Sequence, residues 1–236
     1  MTAMQDFPKN LAYSLKNMSG FSKQTTELTP DNTTVSQNAT IRQKLPPNAL
    51  IDLRTLTMHA TGSVTTTAGN AGKGHFPRYT SSLIEQLNVY INGTLVDPIQ
   101  YYNVVYNTVA DLTMGSDQMS KRHLENYDPS YYQFISDATD GTTSNLNNTL
   151  IASMSDTSKP LIINNWLGFL GTASTPVLST GDLNSIELEI RFAPADVLWV
   201  GGDGTTTSVA GLGYTLSNIH FTIAKIIFND PTYYEI

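Results

Sequence analysis

Residues 81–115 read SSLIEQLNVYINGTLVDPIQYYNVVYNTVADLTMG, and the pattern inside them decides the fold. Leu87, Val89 and Ile91 alternate with Gln86, Asn88 and Tyr90, the period of a strand buried on one face. Asn92-Gly93 follows, a strong hairpin signal, because a type I′ turn needs positive φ at both central positions. A short strand then leads into a helical pattern over 98–113. Asp97 is placed to cap it, Pro98 suits its first position, and Tyr102, Val105, Tyr106, Val109 and Leu112 share one face. Gly115 suits the left-handed residue that closes such a helix. A helix set into a chain otherwise built of strands is specific to few architectures.

Outward from this segment the chain reads as strands and polar loops. Upstream, Asp6, Pro8 and Gly20 bracket a short helix with Phe7, Leu11, Leu15 and Met18 along one side. Such a helix suits an arm that docks on a neighbouring subunit or a membrane, or a frayed end packed on its own domain. A Thr-, Asn- and Gln-rich stretch ends in an alternating segment, Val35 to Ile41, and Pro46-Pro47-Asn48 breaks it. A long strand follows over 49–66. Its inward face changes phase, from Ile51 and Leu53 to Leu56, Met58 and Ala60, which predicts a bulge near Thr55. Residues 67–77, TAGNAGKGHFP, have loop composition.

Downstream of the helix, residues 116–141 carry Tyr127, Tyr131, Tyr132 and Phe134 with few regular signals, and 140–148 read as a second polar loop. An apolar segment runs from Leu161 through Trp166, Leu167, Phe169 and Leu170. The cleanest strand is IELEIRF, Ile186 to Phe192, whose four apolar side chains alternate with three charges. After a Gly- and Thr-rich stretch, 201–213, a last strand over 214–228 sets Ile219, Phe221 and Ile223 on one face. The pattern predicts an all-β jelly-roll β-sandwich with one inserted helix and a short N-terminal helix. Its divisions are an N-terminal arm at 1–32, a sandwich at 33–229 and a connector or tail at 230–236.

Composition narrows the function. The chain has 236 residues, enough for a full core, and 40% of them are hydrophobic. Only 14% are charged, against roughly 25% in an average soluble protein, and such a surface favours assembly. The net charge of −7 and the absence of any basic run argue against direct nucleic-acid binding. With no cysteine there is no disulfide framework, thiolate metal site or Cys nucleophile. No stretch approaches the roughly 18 apolar residues of a membrane span, which leaves surface contact with a membrane open.

Catalytic patterns are missing from the sequence. His59, His75, His123 and His220 are scattered, and His59 and His220 read as ordinary surface or edge residues. The glycines at 201–204 and 211–213 lack the Lys-Ser/Thr of a phosphate loop. Glu187 and Glu189, two apart on a strand, read as a wet face rather than a glycosidase pair. Asp137 and Asp140 could offer oxygens to calcium, but the EF-hand pattern is absent. Sequons at Asn17, Asn32, Asn38, Asn92 and Asn147 are what an Asn- and Thr-rich chain makes by chance, and Asn92 serves a turn. No enzymatic activity, cofactor or metal is expected. The tyrosines, Tyr101, Tyr102, Tyr106, Tyr127, Tyr131 and Tyr132, suit either a sugar platform or a protein interface.

Three segments carry a family resemblance. Residues 81–112 resemble the strand, Asn-Gly turn and I-x-x-Y-N helix of double jelly-roll major capsid proteins of small DNA viruses, of the polinton-like and virophage kind. Residues 164–199, NNWLGFLGTASTPVLSTGDLNSIELEIRFAPADVLW, are similar to the family's aromatic-Gly run and late strand of the first roll. Residues 214–236 resemble the strand and connector that leave that roll. A double roll needs about twice this length, so the resemblance covers one roll, and the ending NDPTYYEI favours a truncated or split chain.

The resemblance implies a structural role in the virion, with homotrimers of pseudo-hexagonal outline tiling an icosahedral shell. Partners would be further copies, neighbouring capsomers, and minor capsid or penton proteins. Tyr102, Tyr106, Trp166 and Phe169 are the expected packing anchors, inside the roll or between subunits. The alternative is a carbohydrate- or receptor-binding β-sandwich of the spike or adhesin type.

Overall fold

The computed structural model describes residues 21–65, 73–77, 79–113, 158–172, 177–201 and 211–228. The expected helix near the N-terminus, Gly115, the tyrosine-rich stretch with Asp137 and Asp140, the loop at 140–148 and the connector at 230–236 lie outside these residues.

The described chain is a sandwich of two antiparallel sheets. One contains β1 (Phe21–Leu28), β12 (Gly213–Phe228), β4 (Leu50–Thr65) and β8 (Lys159–Ile163) in that spatial order. The short strands β2 (Val35–Ser36) and β9 (Val177–Ser179) join its β12 and β4. The facing sheet runs β3 (Thr40–Lys44), β10 (Ile186–Phe192), β6 (Ile84–Ile91) and β7 (Thr94–Gln100). Successive strands cross repeatedly between the sheets, and the first long strand lies beside the last. That is jelly-roll topology. Between β7 and β8 the chain inserts α1 (Tyr102–Thr113), and two four-residue helices, α2 (Phe169–Thr172) and α3 (Thr180–Leu183), follow β8 and β9.

The alternation read from the sequence holds where a strand has one wet face. In β10, Ile186, Leu188, Ile190 and Phe192 point inward, each fully buried. Each contributes about 1.5–3 kcal/mol of transfer free energy. Opposite, Glu189 bonds the Arg42 guanidinium at 2.7 Å and Asn88 at 3.1 Å. Burial alone would disfavour its charge. The donors from Asn88 and Arg42, with the Arg42 charge, outweigh that and hold the carboxyl below its usual range.

The expected bulge in the long strand is present. β4 turns Ile51 and Leu53 inward, exposes Arg54, then resumes with Leu56, Met58 and Ala60 inside. Pairing with β12 jumps there, from Thr57↔Thr222 to Asp52↔Ala224. The Thr55 hydroxyl spans the gap: it donates to the Asp52 carbonyl at 2.7 Å and accepts the Ala224 amide at 2.8 Å. β12 carries its own irregularity beside Asn218, whose φ is +54°.

Several expectations need correction. Residues 98–100 belong to β7 rather than to the helix, and Pro98 pairs opposite Asn88. β7 is an edge strand, where a residue without an amide hydrogen is tolerated. The segment at 35–41 is two strands, parted by a turn at Asn38 with φ +62°. Residues 21–28, within the arm by sequence, form β1, fully paired with β12. In the glycine-rich loop, β5 (Lys73–His75) pairs with β11 (Trp199–Gly201). His59 and His220 sit on β4 and β12, two interior strands, and their half-buried rings stack at 4.9 Å.

Candidate functional site: the helix insertion

The insertion begins with the hairpin. Asn92 and Gly93 have φ of +50° and +76°, the pair of left-handed residues that a type I′ turn requires. After β7 the chain kinks at Tyr101, φ +54°, and the Tyr101 carbonyl accepts the amides of Val104 and Val105 to start α1. Asp97 caps a helix, but not this one. Its carboxylate accepts the Phe169 amide at 2.6 Å, at the head of α2.

Only Tyr102, Tyr106 and Ala110 of α1 are buried, a stripe at i, i+4 and i+8. The Tyr102 and Tyr106 rings stack at 6.1 Å, and Tyr79 meets Tyr106 edge-on at 6.1 Å. The Tyr102 hydroxyl accepts the Leu167 amide at 3.1 Å and lies 3.5 Å from the Asn165 carbonyl. Burial pushes its pKa up, so it remains a neutral donor and acceptor. Trp166 sits beneath, stacked on Phe221 at 6.5 Å, and its indole donates to the Leu56 carbonyl at 2.8 Å. Leu56 lies in the stretch of β4 between Asp52 and Thr57 that has no register partner on β12. Phe169 is partly buried against the same core.

All four expected anchors therefore lie in or against the interior of this one chain. Tyr102 and Tyr106 are covered and do not offer a sugar platform, whereas Tyr101 is exposed. A separate open cleft of 630 Å³ lies between the end of β1 and β3, lined by Glu27, Pro30, Asp31, Arg42, Lys44 and Glu187 among others, without an aromatic ring. Among the described residues no three His, Asp or Glu side chains gather as a metal site would need. Nor is any helix there long and apolar enough to cross a membrane.

The two flanks of α1 differ sharply. On one, Asn107 accepts the Ser82 hydroxyl at 2.5 Å and Asp111 accepts the Tyr79 hydroxyl at 2.6 Å. On the other, Val105, Val109 and Leu112 are exposed, with Tyr101 beside them. The sequence pattern sets Val105, Val109 and Leu112 on one face with Tyr102 and Tyr106. The structure divides that face, burying the two tyrosines with Ala110 and leaving the other three exposed. Spacing alone does not tell a core stripe from a surface one rotated by about a quarter of a turn.

These elements define a jelly-roll sandwich with a helix between its seventh and eighth strands. Solved structures share that fold. A quasi-atomic model of the PBCV-1 virus capsid is 15% identical, with a TM-score of 0.56 over 90% of this chain and 43% of that one. The Sputnik virophage structure is 14% identical, TM-score 0.53, over 89% of this chain and 48% of that one. The Faustovirus major capsid protein is 9% identical, TM-score 0.54, over 92% and 56%. The chain thus spans about half the length of these proteins. The fold expected from the resemblance to double jelly-roll major capsid proteins is present as one roll. No family model and no curated protein sequence matches the chain.

Proposed function

We propose that the chain is a structural subunit of a viral capsid, associating as trimers of pseudo-hexagonal outline that build an icosahedral shell. The observation that carries this reading is the shared fold with capsid proteins over about nine-tenths of the chain. The low share of charged residues supports it, since interface cores are depleted in charge. The chain acts by packing, not catalysis, and its place is the virion. Its partners are copies of itself and neighbouring capsomers, with minor capsid or penton proteins at special positions. The four aromatic anchors serve this role from inside, by fixing α1 and the α2 segment on the roll.

Light scattering of the purified protein, with electron microscopy of the same fractions, tests the reading. Trimers, hexagonal plates or shells are expected. A monomer at every concentration and salt, joined by specific binding on a glycan array, would replace it with an adhesin-like module.

A further inference from the structure

We propose that the exposed stripe of α1, Val105, Val109 and Leu112 with Tyr101 beside it, is a contact surface for a second copy of this chain. The proposal rests on the assembly reading above and names one face that it uses.

The stripe inverts the usual arrangement of a surface helix. The polar side chains Asn107 and Asp111 turn toward their own chain and bond Ser82 and Tyr79, while the valines and Leu112 face solvent. Exposure reaches 82% at Leu112 and 68% at Tyr101. Together the four residues expose on the order of 400 Å², within the range of the largest apolar patch on a typical monomer. A standard interface takes roughly 800 Å² from each partner. The stripe therefore has the size of an interface's apolar centre, to be completed by a polar rim.

Charge selects the partner. The chain carries a net charge of −7, so copies repel wherever their acidic surfaces meet. Residues 98–110 contain no Asp, Glu, Lys or Arg, and the one charged residue of α1, Asp111, is held by Tyr79. This face lets like-charged copies approach without opposing charges of their own. A lipid surface fits poorly, because an interfacial helix carries Lys or Arg along its polar face and α1 has none. Tyr101 supplies the kind of amphipathic ring that anchors protein contacts.

Because the chain has no cysteine, Val105→Cys introduces a single thiol for a benzophenone-maleimide photocross-linker. Irradiation of the folded protein should give an adduct of two chains, its yield rising with concentration. In parallel, Val105→Asp with Leu112→Asp should shift the native mass to monomer at an unchanged melting temperature. Adducts confined within one chain, whether or not the aspartate variant folds, would overturn the proposal and show that the chain covers its own stripe. If plates or shells form while no two-chain adduct appears, the stripe assignment falls and the capsid reading stands. Wild-type protein that remains monomeric throughout, with no two-chain adduct, overturns both.

Discussion

Asp97 and Phe169 are joined by a 2.6 Å hydrogen bond, carboxylate to backbone amide, across 72 residues of sequence. It ties the edge strand β7 to the helical turn that follows Trp166. Asp97→Ala should lower stability by about 1 kcal/mol, the usual effect of losing a helix-capping carboxylate. Chemical denaturation measures it. Gly168→Ala should be at least as damaging, because Gly168 has φ +66° and an added Cβ would collide with Asp97 and Ile99.

The bulge of β4 offers a second test. Thr55→Val keeps the shape but removes both bonds of the hydroxyl, to the Asp52 carbonyl and from the Ala224 amide. With Ala224 buried, its amide would lose its partner, and the expected loss is about 1–3 kcal/mol. A melting midpoint equal to wild type would show that the strand irregularity holds itself.

Tyr106 separates packing from bonding. Tyr106→Ala removes a buried ring that touches Tyr102 and Tyr79, with an expected loss of about 3–5 kcal/mol. Tyr106→Phe leaves the ring and drops only a 3.4 Å contact with Asn165, so it should cost under about 1 kcal/mol. Thermal melts of the two variants, read alongside assembly, check both. Unchanged melting and unchanged assembly in Tyr106→Ala would end its role as an anchor.

The stacked histidines set a pH dependence. Burial, then the neighbouring His220, lowers the His59 pKa, against an opposing pull from the Glu27 carboxylate. The folded state thus binds the His59 proton less readily than the unfolded chain does. Its contribution to stability is complete above the ordinary histidine pKa of about 6.5 and is lost as pH falls below it. Melting temperatures measured between pH 7.5 and 5 should fall in wild type and fall less in His59→Gln.

Much of the sandwich was legible because local chemistry and tertiary fate agree there. Ile186 to Phe192 alternate in sequence and in burial, Asn92-Gly93 makes the turn its composition demands, and the phase change after Leu53 marks a true bulge. Pro98 misleads because Asp-Pro before an apolar period suits a helix start equally well. Only the neighbour on one side of β7 decides for a strand. The exposed valines of α1 escape for a related reason, since periodicity reports an apolar stripe without saying what covers it. The β5–β11 pairing and the stacking of His59 on His220 join residues far apart in the chain, which no local pattern records.

Phe21 stands directly opposite Phe228 in the β1–β12 pair, so the first and last described strands adjoin at one corner. Neighbouring strands lie about 4.8 Å apart, which sets the start of β1 and the end of β12 side by side. Genetically that corner is a joint. Another unit can be fused, inserted or copied in tandem there without rerouting any strand of the first.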